Sequence, residues 1–274
     1  MILKNTQLIR PITSASSETP IIWKYISSHV PYQPALEFQN ALVRHKIDHP
    51  NSPDWLILLQ HKPVYTFGRR QADTFEIEAE RNRVKSIFPQ ADFISTLRGG
   101  QTTFHGPGQL VGYPILNIGR MNLSTRMYVD LLLNFLQTIL LHPCLPSPIE
   151  TLDSRLNPKI PVGTFVGSEK SKIASIGVQI RRRISSHGFA LNVERKCEIG
   201  FSHILACGLQ GTRLISIESE LGPKAQVKVE DLVKPTAEVF GKLIRRNIKE
   251  LNQDCEELDS VGYGMVKQFA SFYS

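Results

Sequence analysis

The sequence predicts an α+β fold: a mixed, largely antiparallel sheet with helices packed against it. Three observations carry this. Residues 172–193 alternate bulky apolar with small or polar side chains over two strand lengths, with Arg181, Arg182 and Arg183 between them, the pattern of an antiparallel hairpin. Residues 128–145 place Val129, Leu132, Leu133, Leu136 and Leu140 on one helical face and Asp130, Asn134 and Gln137 on another. Residues 55–60, WLILLQ, form a nearly continuous apolar run of strand length.

Taken in order, residues 1–20 carry Lys4, Arg10 and the serines Ser14, Ser16 and Ser17, with no acid before Glu18. Two readings fit: a short mitochondrial presequence, or a loose N-terminus. Residues 21–274 read as one domain, a length that a single mixed domain commonly reaches. A helix is expected over 32–46, where Ala35, Leu36, Leu42 and Val43 are the apolar positions. After the strand at 55–60 come a loop, HKPVYTFGRR, and a charged helix over 75–84. Strands at 93–97 and 110–116 bracket a glycine-rich loop, and the helix at 128–145 follows. Residues 143–161 are a proline-bearing surface connection. In the hairpin, Ser175, Gly177, Gly188 and Ala190 make one face small. Small residues in a strand mark a close approach to the backbone, either by a ligand or by a tightly packed helix. A last helix is expected over 230–251, kinked or restarted at Pro235. The final twenty residues show no clear pattern.

The chain is 41% apolar and 21% charged, the balance of an ordinary globular protein, and its net charge of +7 suits acidic partners. The four cysteines, Cys144, Cys197, Cys207 and Cys255, are scattered and contain no CxxC pair. That excludes a disulfide scaffold and a cysteine-based zinc site, so free thiols and no metal are expected. The helix at 128–145 is interrupted by polar residues and does not read as a membrane span.

The loop Arg98-Gly99-Gly100-Gln101-Thr102-Thr103-Phe104-His105-Gly106-Pro107-Gly108-Gln109 is the most chemical stretch of the chain. Its glycines let backbone N–H groups approach a ligand, while Arg98 and His105 add directed hydrogen-bonding groups. It lacks the spacing of a phosphate-binding P-loop or a dinucleotide fingerprint. A single RGG between strands also differs from the repeated tripeptides of disordered RNA-binding chains.

Together with three other segments, this loop resembles the lipoyl(octanoyl) transferase family. The resemblance runs through HKPVYTFGRR, RGGQTTFHGPGQLVGYPI, KIASIGVQIRRRISSHGFALNV and ACGLQGT, in that order along the chain. It implies the fold of the biotin and lipoate protein ligases. It implies an acyltransferase of lipoate biosynthesis that moves an octanoyl group from octanoyl-acyl carrier protein to a lysine of lipoyl domains, through a cysteine thioester and with no cofactor. The acceptors implied are the lipoyl domains of 2-oxoacid dehydrogenase complexes and the glycine cleavage H protein. Cys207 falls on the family's nucleophile and Lys172 on the lysine that lowers its pKa. Arg98, Gly99, Gly100, Gln101, Thr102, Thr103, Phe104 and His105 fall on a first substrate-binding segment. Ser175, Ile176 and Gly177 fall on a second, and Gly188, Phe189 and Ala190 on a third. Ala206 stands where proline is common and Phe165 where tryptophan is common, and neither change removes a reacting group. The connection over 143–170 is longer than in compact bacterial members, which points to a eukaryotic member and to mitochondria.

The chemistry accounts for such a pair. A free thiol with a pKa of about 8.5 is a few per cent thiolate at neutral pH. Lowering it to about 7 takes roughly 2 kcal/mol and raises the reactive fraction about tenfold, enough to attack an already activated thioester. His105 has two roles open to it, orienting the acyl thioester or bracing the loop. Arg69, Arg70, Arg181, Arg182 and Arg183 are candidate docking residues for acidic carrier proteins and lipoyl domains. Three other functions compete: an ATP-dependent lipoate ligase of the same fold, a non-catalytic paralogue that only binds lipoyl domains or carrier proteins, and a basic nucleic-acid-binding protein. A ligase needs an adenylate site and no nucleophilic cysteine, pure binding needs neither Lys172 nor Cys207, and no nucleic-acid recognition motif is present.

Overall fold

The computed structural model describes residues 19–69, 75–153, 155, 162–167, 171–204 and 212–274. The order of elements is β1 (Ile21–Val30), α1 (Tyr32–Asp48), β2 (Asp54–His61), β3 (Val64–Phe67), α2 (Phe75–Ile87), β4 (Asp92–Ser95), β5 (Thr103–His105), β6 (Gln109–Ile115) and α3 (Thr125–Leu140). It continues through β7 (Thr151–Leu152), β8 (Thr164–Val166), β9 (Ser171–Arg181), β10 (Ile184–Asn192), β11 (Arg213–Leu214), α4 (Ile217–Leu221), α5 (Val229–Ile244), β12 (Ile248–Glu250) and α6 (Ser260–Phe272). The main sheet has the order β12-β1-β2-β6-β10-β9-β8-β7, with β11 paired to β9, and a small sheet has the order β4-β3-β5. The β1–β2 and β1–β12 pairs are parallel. The run from β2 through β6, β10, β9 and β8 to β7 is antiparallel, so the sheet is mixed and largely antiparallel as the sequence predicts.

The period of two sorts side chains between two layers. On β2, Leu56 and Leu58 join a core with α3 and α5 residues such as Leu132, Phe135, Leu136, Leu232 and Phe240. Trp55, Ile57 and Leu59 face the other way, toward α1 and α6, and pack with Phe38, Leu42, Tyr263 and Val266. Strand β10 divides likewise, Phe189 and Leu191 on the first face and Ala190 on the second. The hairpin closes on Arg182 and Arg183, both left-handed at φ 47° and 67°, the two-residue turn that suits strand twist. A buried ion cluster ties the layers: Lys46 of α1 lies 2.7 Å from Asp54 of β2, which also pairs with Arg246 beside β12. Burial pushes the Asp54 carboxyl up, but Lys46 and Arg246 hold it below the usual carboxylate range.

Several elements differ from the sequence expectation: β5 lies inside the glycine-rich loop, β7 inside the 143–161 connection, and β8, β11 and α4 were not expected. Strand β1 was not expected, because Lys24, Ser27 and Ser28 break its alternation and its register against β2 shifts between Ile26 and His29. The loop HKPVYTFGRR contains β3, a strand of four residues buried throughout. The last helix ends at Ile244, not near 251. Arg245 adopts a left-handed conformation there and the chain turns into β12. Ile248 continues the helical spacing past that break, and no glycine marks it. Pro235 neither ends nor restarts the helix, which keeps Leu232, Val233, Thr236, Ala237, Val239 and Phe240 buried on either side of it. The final residues form α6, capped by Asp259, whose side chain accepts from the Gly262 N–H.

Candidate active site

The glycine-rich loop is held down by the strand hidden in the preceding motif. Arg98 is 6% exposed, and its guanidinium donates to the Thr66 carbonyl at 2.8 Å, the Thr66 hydroxyl at 2.7 Å, the Gly99 carbonyl at 3.0 Å and the Gln101 carbonyl at 2.9 Å. The turn it organises crosses Gly68, where a Cβ would sit 2.2 Å from the Gly100 oxygen. Gly100 itself has φ +96°, open to glycine at little cost. The Gly99 N–H then donates to the Val178 carbonyl of β9 at 3.0 Å. A Cβ on Gly177 would stand 3.1 Å from the Gly99 oxygen. What approaches the small face at Gly177 is therefore this loop, while at Gly188 it is the Gly112 carbonyl and Pro114 of β6.

Between loop and hairpin lies a cavity of about 480 Å³, the size of a small-ligand pocket. Arg98, Gly99, Gly100, Gln101, Thr103 and His105 line it from the first predicted segment. Ser175, Ile176 and Gly177 line it from the second, Gly188, Phe189 and Ala190 from the third, and Lys172 lines it as well. Thr102 and Phe104 do not. Phe104 points away into an aromatic cluster with Tyr65, Phe88 and Phe201, at ring distances of 5.1, 6.2 and 5.6 Å, and anchors the loop from behind. Thr102 is buried off the cavity.

Lys172, 2% exposed, donates from Nζ to the Val162 carbonyl at 3.3 Å and lies 5.7 Å over the Phe165 ring. Gly163 makes room for its stem, since a Cβ there would be 2.4 Å from Lys172 Cε. Cys207 and Arg70 lie outside the described residues. Of the described cysteines, all free thiols, Cys197 and Cys255 are buried and Cys144 is partly so. Burial pushes the Cys197 and Cys144 thiols up, which disfavours a nucleophilic thiolate at either. The exposed Arg181, Arg182 and Arg183 sit at the tip of the hairpin, at the opposite end of β9 from Lys172.

Sequence reasoning missed a polar cluster at the cavity, made of Tyr32, Tyr113 and His187 in its wall with His61 behind them. The signal was present as polar side chains inside apolar strand runs: His61 ends β2, Tyr113 lies in β6 and His187 in β10. His61 donates from Nδ1 to the Val30 carbonyl at 2.8 Å, so its Nε2 accepts from the Tyr113 hydroxyl at 2.6 Å. The Tyr32 ring stacks on His105 at 5.8 Å, and its hydroxyl lies 3.3 Å from His187 Nδ1. Burial lowers the His61 pKa to about 4 against the Val30 bond. Burial and then the Arg98 charge lower that of His187 to about 3. Burial, then His61, Arg98 and His187, push His105 well down against its bond to Gln109. Burial raises the Tyr32 hydroxyl to about 12. These rings stay neutral through the physiological range, so the wall offers hydrogen bonds without charge. Beside them Val111, Val129, Ile176 and Phe189 supply apolar surface. Such a cavity suits an apolar chain carrying a polar, uncharged linkage, with an amine at hand in Lys172.

A family model described as the lipoyl protein ligase A/B catalytic domain matches residues 31–241. An octanoyltransferase of Caldicellulosiruptor saccharolyticus is 35% identical over 232 residues, 84% of this chain and 92% of the relative. A mitochondrial octanoyl-[acyl-carrier-protein]:protein N-octanoyltransferase of Danio rerio is 37% identical over 212 residues, 77% of this chain and 87% of the relative. Among solved structures, the bipartite lipoate protein ligase of Thermoplasma acidophilum superposes with a TM-score of 0.53 at 11% identity, over 91% of this chain and 93% of that one, a likeness of fold.

Proposed function

The chain belongs to the lipoyl protein ligase A/B catalytic-domain family, among its octanoyltransferases, and from that premise we propose that it transfers an octanoyl group from octanoyl-acyl carrier protein to a lysine of lipoyl domains through a thioester on Cys207. It is an acyltransferase, and the step belongs to lipoate biosynthesis. The observation that carries the finer reading is the convergence of Lys172 and all three glycine- and small-residue segments on one cavity.

In this reading the Cys207 thiolate attacks the octanoyl thioester. The carbonyl carbon–sulfur bond to the carrier breaks, and the departing pantetheine thiolate takes a proton from Lys172. A lipoyl-domain lysine then attacks the octanoyl-cysteine, forming the amide and releasing the Cys207 sulfur, and the proton shed by the nitrogen returns to the Cys207–Lys172 pair. Exchange of a thioester for an amide runs downhill without ATP. Each tetrahedral oxyanion needs preorganised donors, and backbone N–H groups near Cys207–Gly208 or at Gly100 are the candidate sources, the Gly99 N–H being engaged by the Val178 carbonyl. Thr102 and Phe104 serve by holding the loop. The acceptors are lipoyl domains of 2-oxoacid dehydrogenase complexes and the glycine cleavage H protein. The net charge of +7 suits such acidic partners, and Arg69, Arg181, Arg182 and Arg183 are exposed to meet them. Residues 21–274 act as one catalytic domain. Mitochondria are the proposed compartment, supported by the relatives of Danio rerio and Arabidopsis thaliana that are named mitochondrial, while bacterial relatives are octanoyltransferases too.

The test is an assay of purified protein with octanoyl-acyl carrier protein and a lipoyl domain, without ATP, read by the mass of the lipoyl domain. One octanoyl group should be gained on its lysine. Modification that instead requires ATP and a free fatty or lipoic acid would make this a ligase.

A further inference from the structure

His105 is held by a chain of hydrogen bonds whose direction is fixed at one end by a backbone carbonyl. The Ile215 carbonyl can only accept, so the group 3.0 Å from it is the Asn192 side-chain NH₂. Asn192 Oδ1 therefore points the other way and accepts from Gln109 Nε2 at 2.9 Å. That turns Gln109 Oε1 toward His105 Nδ1 at 2.7 Å, which must carry the proton. The imidazole is thus locked as the Nδ1–H tautomer, and Nε2 remains a lone pair on a ring that is 7% exposed and lines the cavity. The same chain reaches the strand of the buried lysine, since the Ile215 N–H donates to the Lys172 carbonyl at 3.0 Å.

A neutral acceptor without a proton has little use for most groups of the reaction. The thioester carbonyl and the oxyanions want donors, and the departing thiolates want protons. Between the two substrates, the attacking amine alone brings N–H to be accepted, the Lys172 protons being directed at the departing thiolate. We infer that His105 Nε2 is the proton acceptor for the lysine amine as it attacks the acyl thioester, and that Gln109 and Asn192 are the positioning residues that hold Nε2 ready. This rests on the proposed reading that a thioester is the donor and a lysine amine the acceptor. The nitrogen lone pair forms the carbon–nitrogen bond, and the carbon–sulfur bond breaks with its electrons on sulfur. The proton shed by nitrogen passes through Nε2 to the departing thiolate. Burial, then the neighbouring His61 and Arg98, disfavour the imidazolium, which weakens Nε2 as a base but hastens the onward transfer of the proton. His61 cannot substitute, because Val30 and Tyr113 engage both of its ring nitrogens.

The test compares two acyl acceptors with octanoyl-acyl carrier protein as donor, each rate taken above that of the enzyme-free mixture: the lipoyl domain, and hydroxylamine, which is small, neutral at pH 7 and brings water that can take its proton. His105→Gln keeps a hydrogen-bonding side chain but no base. It is expected to slow transfer to the lipoyl domain about 100-fold, the scale of one general base, and hydroxamate formation by a much smaller factor, so that the ratio of the two rates falls. Gln109→Leu leaves the imidazole and releases its tautomer, so a partial loss of the same selective kind is expected, and it serves if His105→Gln does not fold. Equal slowing with both acceptors, or no slowing with either, overturns the inference. A wild type that makes hydroxamate but never modifies a lipoyl domain would overturn the acceptor reading itself, by a result that does not involve His105.

Discussion

Replacing Lys172 with alanine is expected to lower kcat/KM for octanoyl transfer by about 10³. Roughly tenfold comes from the lost thiolate fraction at Cys207 and roughly 100-fold from the lost proton for the departing pantetheine thiolate. Iodoacetamide alkylation of Cys207 followed against pH separates the two effects. Its midpoint should move upward in Lys172→Ala, because the nearby cation that favours the thiolate is gone. Arginine should not rescue. It cannot release a proton, and the space around the Lys172 stem is already so tight that a Cβ on Gly163 would lie 2.4 Å from Cε. Wild-type rates in Lys172→Ala, in a protein that melts normally, would remove Lys172 from the mechanism.

The second large effect is expected at Arg98. Arg98→Lys keeps the charge but loses the planar fork that reaches the Thr66 carbonyl and hydroxyl and the Gly99 and Gln101 carbonyls together. One ammonium cannot span those acceptors, so buried carbonyls are left without donors at about 1–3 kcal/mol each. A loss of about 2–4 kcal/mol of stability by urea denaturation is expected. Transfer should fall about 100-fold, because the turn that packs Gly99 on Val178 loses its brace. A variant with unchanged stability would show that β3, and not Arg98, shapes the loop.

Both predictions draw on residues visible in the sequence, whereas the reasons for their strength are not. The alternation along β9 and β10 and the stripe of α3 reported their elements because each has one face in a single core. Strand β1 hid behind a register shift, β3 behind its length of four residues, and β12 behind an Ile248 that continues the spacing of α5. At the site, the small residues Ser175, Gly177, Gly188 and Ala190 marked a close approach, and the structure supplies what approaches. Arg98 and His105 stood out because charge and imidazole are rare in a glycine-rich turn. Tyr32, Tyr113 and His187 were overlooked because a buried aromatic in a helix or strand looks like core until its polar atom is seen facing a cavity. The direction of the Asn192–Gln109–His105 chain comes from a backbone carbonyl far away in sequence, which no local pattern reports.

The central claim is the covalent intermediate on Cys207. Intact-protein mass spectrometry after mixing the chain with octanoyl-acyl carrier protein tests it most directly, with Cys207→Ser in parallel. The wild type should gain one octanoyl group, absent from Cys207→Ser and discharged when a lipoyl domain is added. A lipoyl domain that becomes octanoylated by Cys207→Ser at the wild-type rate would contradict it.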